Sequence, residues 1–152
     1  MKTIRVYVDT SVFGGVFDQE FKNQSTRFFE QVKTDQFILV TSALVQAEIL
    51  EAPQEVQGLF DELLPFAEIV ETTEEALRLR DAYIEAGIVS EKYSNDALHV
   101  ALATVSNCSV IVSWNFKHIV HFEKIPLYNA INVLQGFHQV SIFSPLEVIK
   151  YE

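Results

Sequence analysis

Short apolar runs, each separated from the next by a helix-patterned stretch, decide what this chain can fold into. IRVYV at Ile4–Val8, FILV at Phe37–Val40 and VIVS at Val110–Ser113 suit buried strands and are too short for helices. Ile125–Tyr128 and Val140–Phe143 read as further strands, and Glu68–Val70 as a brief strand or extended link. Between them run helical patterns. Ser25–Lys33 places Phe28, Phe29 and Val32 on one side, Ser42 can cap a helix through Leu50, and Pro53 opens one that Pro65 ends. Thr72 with Glu75 has capping-box spacing, and Gly87 terminates the helix that follows. Ser94 can cap DALHVALATV, Asn129 can cap AINVLQGF, and Pro145 starts a last turn. This alternation predicts an α/β fold, a three-layer α/β/α sandwich around a mainly parallel sheet. In such sheets ligands bind beyond the carboxyl ends of the strands. Asp9 and the Ser113–Asn115 turn fall at such ends.

No repeat, low-complexity segment or linker divides the 152 residues, so one domain over 1–152 is expected. Cys108 is the only cysteine, which excludes an internal disulfide or a Cys-rich zinc site and favours a reducing cytosol. No basic-then-apolar leader and no apolar run near the ~20 residues of a membrane span are present. A soluble, cytoplasmic protein with no membrane partner is the expectation. The net charge of −10 argues against a general polyanion binder. Lys117, His118, His121 and Lys124 form the one basic cluster, either a solvated loop or a phosphate-contact patch.

Three acids stand in unexpected places. Asp9 follows an apolar strand, where a buried carboxylate needs a helix N-terminus, a cation or a metal ion. Glu48 projects between Leu44 and Val45 rather than on the Gln46 side of its helix. Asp96 lies in the first turn of a helix that is apolar nearly all round. Local explanations exist: Asp9 can cap a helix starting near Thr10, and Asp96 can stabilise its own first turn. Clustered together, such carboxylates repel by about 4 kcal/mol per close pair at an effective dielectric of 20. A divalent cation relieves that repulsion, and all-oxygen ligands select Mg²⁺ or Mn²⁺.

VDTSVF, the glutamate of AEIL, SNDALHVALA and IVSWNF, in that order and spacing, resemble a PIN-domain protein. Within that family the chain is most similar to VapC-like toxins of toxin–antitoxin pairs, from Tyr7 to at least Phe143. The resemblance implies a single PIN-like domain and a Mg²⁺- or Mn²⁺-dependent endoribonuclease that cleaves RNA with a metal-activated water. Asp9, Glu48 and Asp96 match the family's metal-holding, catalytic acids, with Thr10 or Ser11 supplying a nearby hydroxyl. Ser113, His99 and Asn115 are accessory candidates. A small cognate antitoxin and a homodimer are the implied partners. One position departs: many members have an aspartate where this chain has Asn115, which removes a charge and puts a second metal ion in question.

Two other α/β readings fail on the residues. A haloacid dehalogenase-type phosphatase needs a second aspartate two residues after the first, and here Ser11 stands there. A nucleotide-binding module needs a glycine-rich phosphate loop followed by Lys-Ser/Thr, and Gly14–Gly15 alone does not make one. The remaining alternative is a PIN-fold protein that binds RNA or a partner with weak or lost nuclease activity.

Overall fold

Val6, Tyr7 and Val8 in β1 (Ile4–Val8) are wholly buried, and so are Ile111 and Val112 in β4 (Val110–Val112). Strands buried on both faces suit the middle of a parallel sheet. The computed structural model, which describes residues 3–151, places them there. Five strands lie in the order β3-β2-β1-β4-β5, with β2 at Phe37–Ser42, β3 at Ala67–Val70 and β5 at Ser141–Phe143. All four pairings are parallel, with Tyr7 in register with Val40 on one side and Ile111 on the other.

The chain first builds outward from β1 to β2 and β3, then crosses back to β4 and β5. Right-handed crossovers put the two sets of helices on opposite faces. One set is α1 (Thr10–Gly15), α2 (Lys22–Lys33), α3 (Ala43–Leu50), α4 (Gln54–Leu63) and the short α8 (Pro145–Val148). The other is α5 (Glu74–Glu85), α6 (Ser94–Val105) and α7 (Lys124–Leu134), with α5 packed along both its neighbours. The order reverses between β1 and β4, and a crevice at that point is the usual ligand site of such sheets. No helix among the described residues is long and apolar enough to cross a membrane.

Several elements differ from their sequence reading. The run Ile125–Tyr128 is not a strand, and Asn129 caps nothing: both belong to α7. Pro126 sits in the first turn of that helix, where its missing N–H costs no bond. Asn129 instead reaches sideways, accepting from the Val140 amide at 2.7 Å and donating to its carbonyl at 2.9 Å. It thereby pairs with the backbone leading into β5. Thr73, not Thr72, caps α5, accepting from the Ala76 amide. α2 begins at Lys22 rather than Ser25, and Ser94 is already helical because a single 3₁₀ turn at Glu91–Tyr93 leads into α6.

Candidate active site

Where β1 ends, the chain turns directly into α1, and Asp9 is the cap between them. Its Oδ1 accepts from the Ser11 amide at 3.2 Å and from Ser11 Oγ at 2.6 Å. Its Oδ2 accepts from Ser113 Oγ at 2.6 Å. Ser113 follows β4, so this last bond closes the gap between the two strands at which the sheet order reverses. Ser11 Oγ also accepts from the Trp114 amide and Ser113 Oγ from the Asn115 amide, which fixes both hydroxyls toward the acid.

Asp9 is 3% exposed and, among the described residues, no lysine or arginine forms an ion pair with it. Burial pushes its pKa up, against the pull of the His99 ring and of the Ser11 and Ser113 hydroxyls, and the nearby Glu48 charge adds to the rise. Glu48 responds oppositely. Burial raises its pKa too, but the His99 and Thr10 bonds outweigh it and the net shift is downward. Two carboxylates pushed apart in this way mark a site where one acid ionises more readily than the other.

Glu48 is held from two sides. Thr10 Oγ1 donates to its Oε1, and His99 Nε2 stands 2.9 Å from the same oxygen. The other ring nitrogen of His99 is 2.8 Å from the Tyr7 hydroxyl, itself 2.8 Å from Ser42 Oγ, which accepts from the Val45 amide. With its proton on Nε2, the ring donates to Glu48 and accepts from Tyr7, and every member of this buried chain is satisfied. Sequence alone marks His99 as an accessory candidate. Its link back to Tyr7 and Ser42 was invisible there, because both residues read as a strand tyrosine and a helix cap.

Asp96 is half-buried in the first turn of α6, one turn before His99, and lies outside this hydrogen-bond network. Its charge acts on His118 and Tyr128. Asn115 turns its Oδ1 to the His118 amide at 3.0 Å, capping the turn after β4. Trp114 is buried and stacked on Phe21 at 4.1 Å between ring centroids, with its indole N–H on Ser25 Oγ. That bond passes so close to Gly15 that a Cβ there would lie 2.6 Å from the serine oxygen and 2.8 Å from the indole nitrogen.

The match to known proteins settles the family. The PIN domain family model matches residues 6–117, most of the chain. This chain belongs to the PIN domain family. The PIN domain's fold is similar to that of a chain in VapBC2 from Rickettsia felis bound to a DNA fragment from their promoter. That match has a TM-score of 0.60 at 15% identity, over 93% of this chain and 98% of the other. It is also similar to a chain of FitAB bound to an IR36 DNA fragment, with a TM-score of 0.61 at 13% identity, over 97% and 99% of the two chains. No curated protein matches.

PIN nucleases generally use divalent metal ions, and the chemistry of this PIN domain's donors suits a hard cation. Carboxylate and hydroxyl oxygens from Asp9, Ser11, Thr10, Glu48 and Ser113 surround the end of β1, with no thiolate among them. The spacing is another matter. Among the described residues no three His, Cys, Asp or Glu side chains are grouped as a metal site. Asp9 feels the charge of Glu48, and Asp96 hydrogen-bonds to neither of them.

Proposed function

We propose that this PIN domain is a metal-dependent endoribonuclease, the toxin of a toxin–antitoxin pair, in which Asp9, Glu48 and Asp96 hold Mg²⁺ or Mn²⁺. The observation that carries the reading is Asp9 itself: a buried carboxylate at the reversal point of the sheet, held by hydroxyls and, among the described residues, paired with no lysine or arginine. Such a group is costly unless an ion neutralises it. A bound divalent ion supplies an activated water and charge neutralisation at the scissile phosphate.

The chain's own residues do the positioning. Ser11 and Ser113 each hold one oxygen of Asp9, and the Tyr7–His99 pair with Thr10 fixes Oε1 of Glu48. Its other carboxylate oxygen remains available to a ligand. The VapBC2 and FitAB likenesses support a small antitoxin as partner. The net charge of −10 favours a cationic antitoxin segment over the acidic mouth. A homodimer and a cytoplasmic setting belong to the same reading.

Cleavage of a labelled RNA by the purified protein, with Mg²⁺, with Mn²⁺ and with chelator, tests the activity. Metal-dependent cutting that Asp9→Asn and Asp96→Asn both abolish is expected; equal rates in those variants reject the site. A second reading rests on the absence of Asp96 from the hydrogen bonds that hold Asp9 and Glu48 among the described residues, and on the neutral Asn115. In it the domain binds RNA or its partner and cuts weakly or not at all. RNA binding without metal-stimulated cleavage would favour it.

A further inference from the structure

His118 is 9% exposed, and among the described residues neither of its ring nitrogens has a hydrogen-bond partner. An imidazole sealed off in that way loses its hydration without compensation. Its backbone is pinned on both sides, by Asn115 Oδ1 on the amide and the Tyr128 hydroxyl on the carbonyl at 2.8 Å. The ring is therefore held where it is, and the ring of Tyr93 covers it at 4.0 Å between centroids.

Two cations stand near the ring of that lid. The ammonium groups of Lys92 and Lys117 lie 5.6 Å and 5.4 Å from the centroid of Tyr93. Neither lysine forms an ion pair among the described residues, although the chain carries 21 acids against 11 Lys and Arg. Lys92 comes from the turn before α6 and Lys117 from the turn after β4, so the fold brings the two together from distant parts of the chain. The other basic residues of the 117–124 stretch are occupied locally. Lys124 Nζ donates to the Ile88 carbonyl at 2.5 Å, and His121 Nδ1 accepts from the Glu123 amide.

We infer that Lys92, Lys117 and His118 form a subsite for a phosphate of a single-stranded RNA, beside Asp96 and flanking the catalytic acids. The inference rests on the ribonuclease reading for its ligand. The two ammonium groups meet a backbone phosphate first. Tyr93, carried on a single 3₁₀ turn, then leaves its stack on His118 and lies against a base, and the exposed imidazole donates to the phosphate oxygen. Base stacking on an aromatic ring beside backbone cations is the usual means of holding a single strand without reading its sequence.

The test is binding of a fluorescein-labelled 12-nucleotide RNA by anisotropy in chelator, from 50 to 200 mM salt, so that cleavage plays no part. Lys92→Gln with Lys117→Gln should weaken affinity about tenfold and flatten the plot of log K against log salt by about 0.7, the slope per neutralised phosphate on a single strand. His118→Phe keeps a ring under Tyr93 and deletes only the unpartnered nitrogens. It should melt at the same or a higher temperature than the parent and bind RNA several-fold more weakly. Parental affinity and salt slope in the double lysine variant overturn the subsite, as does parental affinity in His118→Phe. A parallel assay with Mn²⁺ separates the two readings. RNA held through these residues but never cut leaves the subsite standing without the nuclease. RNA cut by the lysine variant with unchanged KM leaves the nuclease standing without the subsite. A parent that neither binds nor cuts RNA removes both.

Discussion

His99 Nε2 lies 2.9 Å from Glu48 Oε1, and this one contact ties an acid on α3 to the middle of the sheet through Tyr7. The ring is buried, so the acid's position is set by β1 and α6 rather than by solvent. Loss of the ring nitrogens leaves Glu48 with Thr10 alone and the Tyr7 hydroxyl with Ser42 alone. His99→Phe should cost about 2–3 kcal/mol at neutral pH, the range for one charge-assisted bond and one neutral buried bond. The sign of its pH dependence follows from Glu48, whose folded pKa is lowered. The pairing stabilises above the ordinary glutamate range and is lost as pH falls through the lowered value. Urea denaturation of parent and variant should therefore show a gap that narrows below about pH 4. A constant gap down to that pH would mean the ring only fills space.

Asp9 runs the opposite way. Burial raises its folded pKa, so the native state favours the neutral acid. The stabilising contribution is complete below the unfolded carboxylate value and disappears as pH rises through the raised one. At neutral pH without metal, the ionised group is a net cost to the fold. Asp9→Asn should melt at or above the parental temperature in chelator at pH 7 and lose that advantage near pH 3, while metal-dependent cleavage vanishes. A large drop in melting temperature at pH 7 would show that the Ser11 and Ser113 bonds need the charge itself.

The sheet was legible because its three main runs carry apolar residues at nearly every position, and β1, β2 and β4 form where they were expected. Run length alone misled at Ile125–Tyr128, since four apolar residues fit a strand or a helical turn equally and Pro126 is tolerated at a helix start. The acids Asp9 and Glu48 showed themselves by occupying apolar ground. Of the partners that aim them, Ser11 and Ser113 stood among the hydroxyl candidates and Tyr7 did not, because only the fold sets β1 against the start of α3 and against α6. Lys92 was missed for the same reason, as nothing near it in sequence points to Lys117.

Cys108 gives a prediction free of the active site. It is fully buried, and burial pushes its thiol up to about 12 despite the nearby Arg5 charge. A thiol so rarely ionised and so enclosed reacts slowly. Iodoacetamide at pH 8 should leave the native protein unmodified by mass spectrometry and label it fully once it is unfolded in urea. Rapid labelling of the native form would show that the end of α6 opens readily.

Asn115 is two hydrogen bonds from Asp9: its amide donates to Ser113 Oγ at 2.9 Å, and Ser113 donates to the acid. Its own Oδ1 is engaged by the His118 amide. Aspartate caps such a turn as well as asparagine does, so Asn115→Asp keeps the loop while adding a negative charge beside two carboxylates already under repulsion. A bound cation should gain from that charge and the metal-free protein should lose. Calorimetric titration should give roughly tenfold tighter Mn²⁺ binding, about 1.4 kcal/mol, together with a lower melting temperature in chelator. Cleavage should rise at limiting metal and change little at saturation, because affinity for the ion and stabilisation of the transition state are separate quantities. Equal Mn²⁺ affinities in the two proteins would place this side chain outside the ion's reach. Its work would then lie in the turn, holding the backbone from which His118 and Lys117 project.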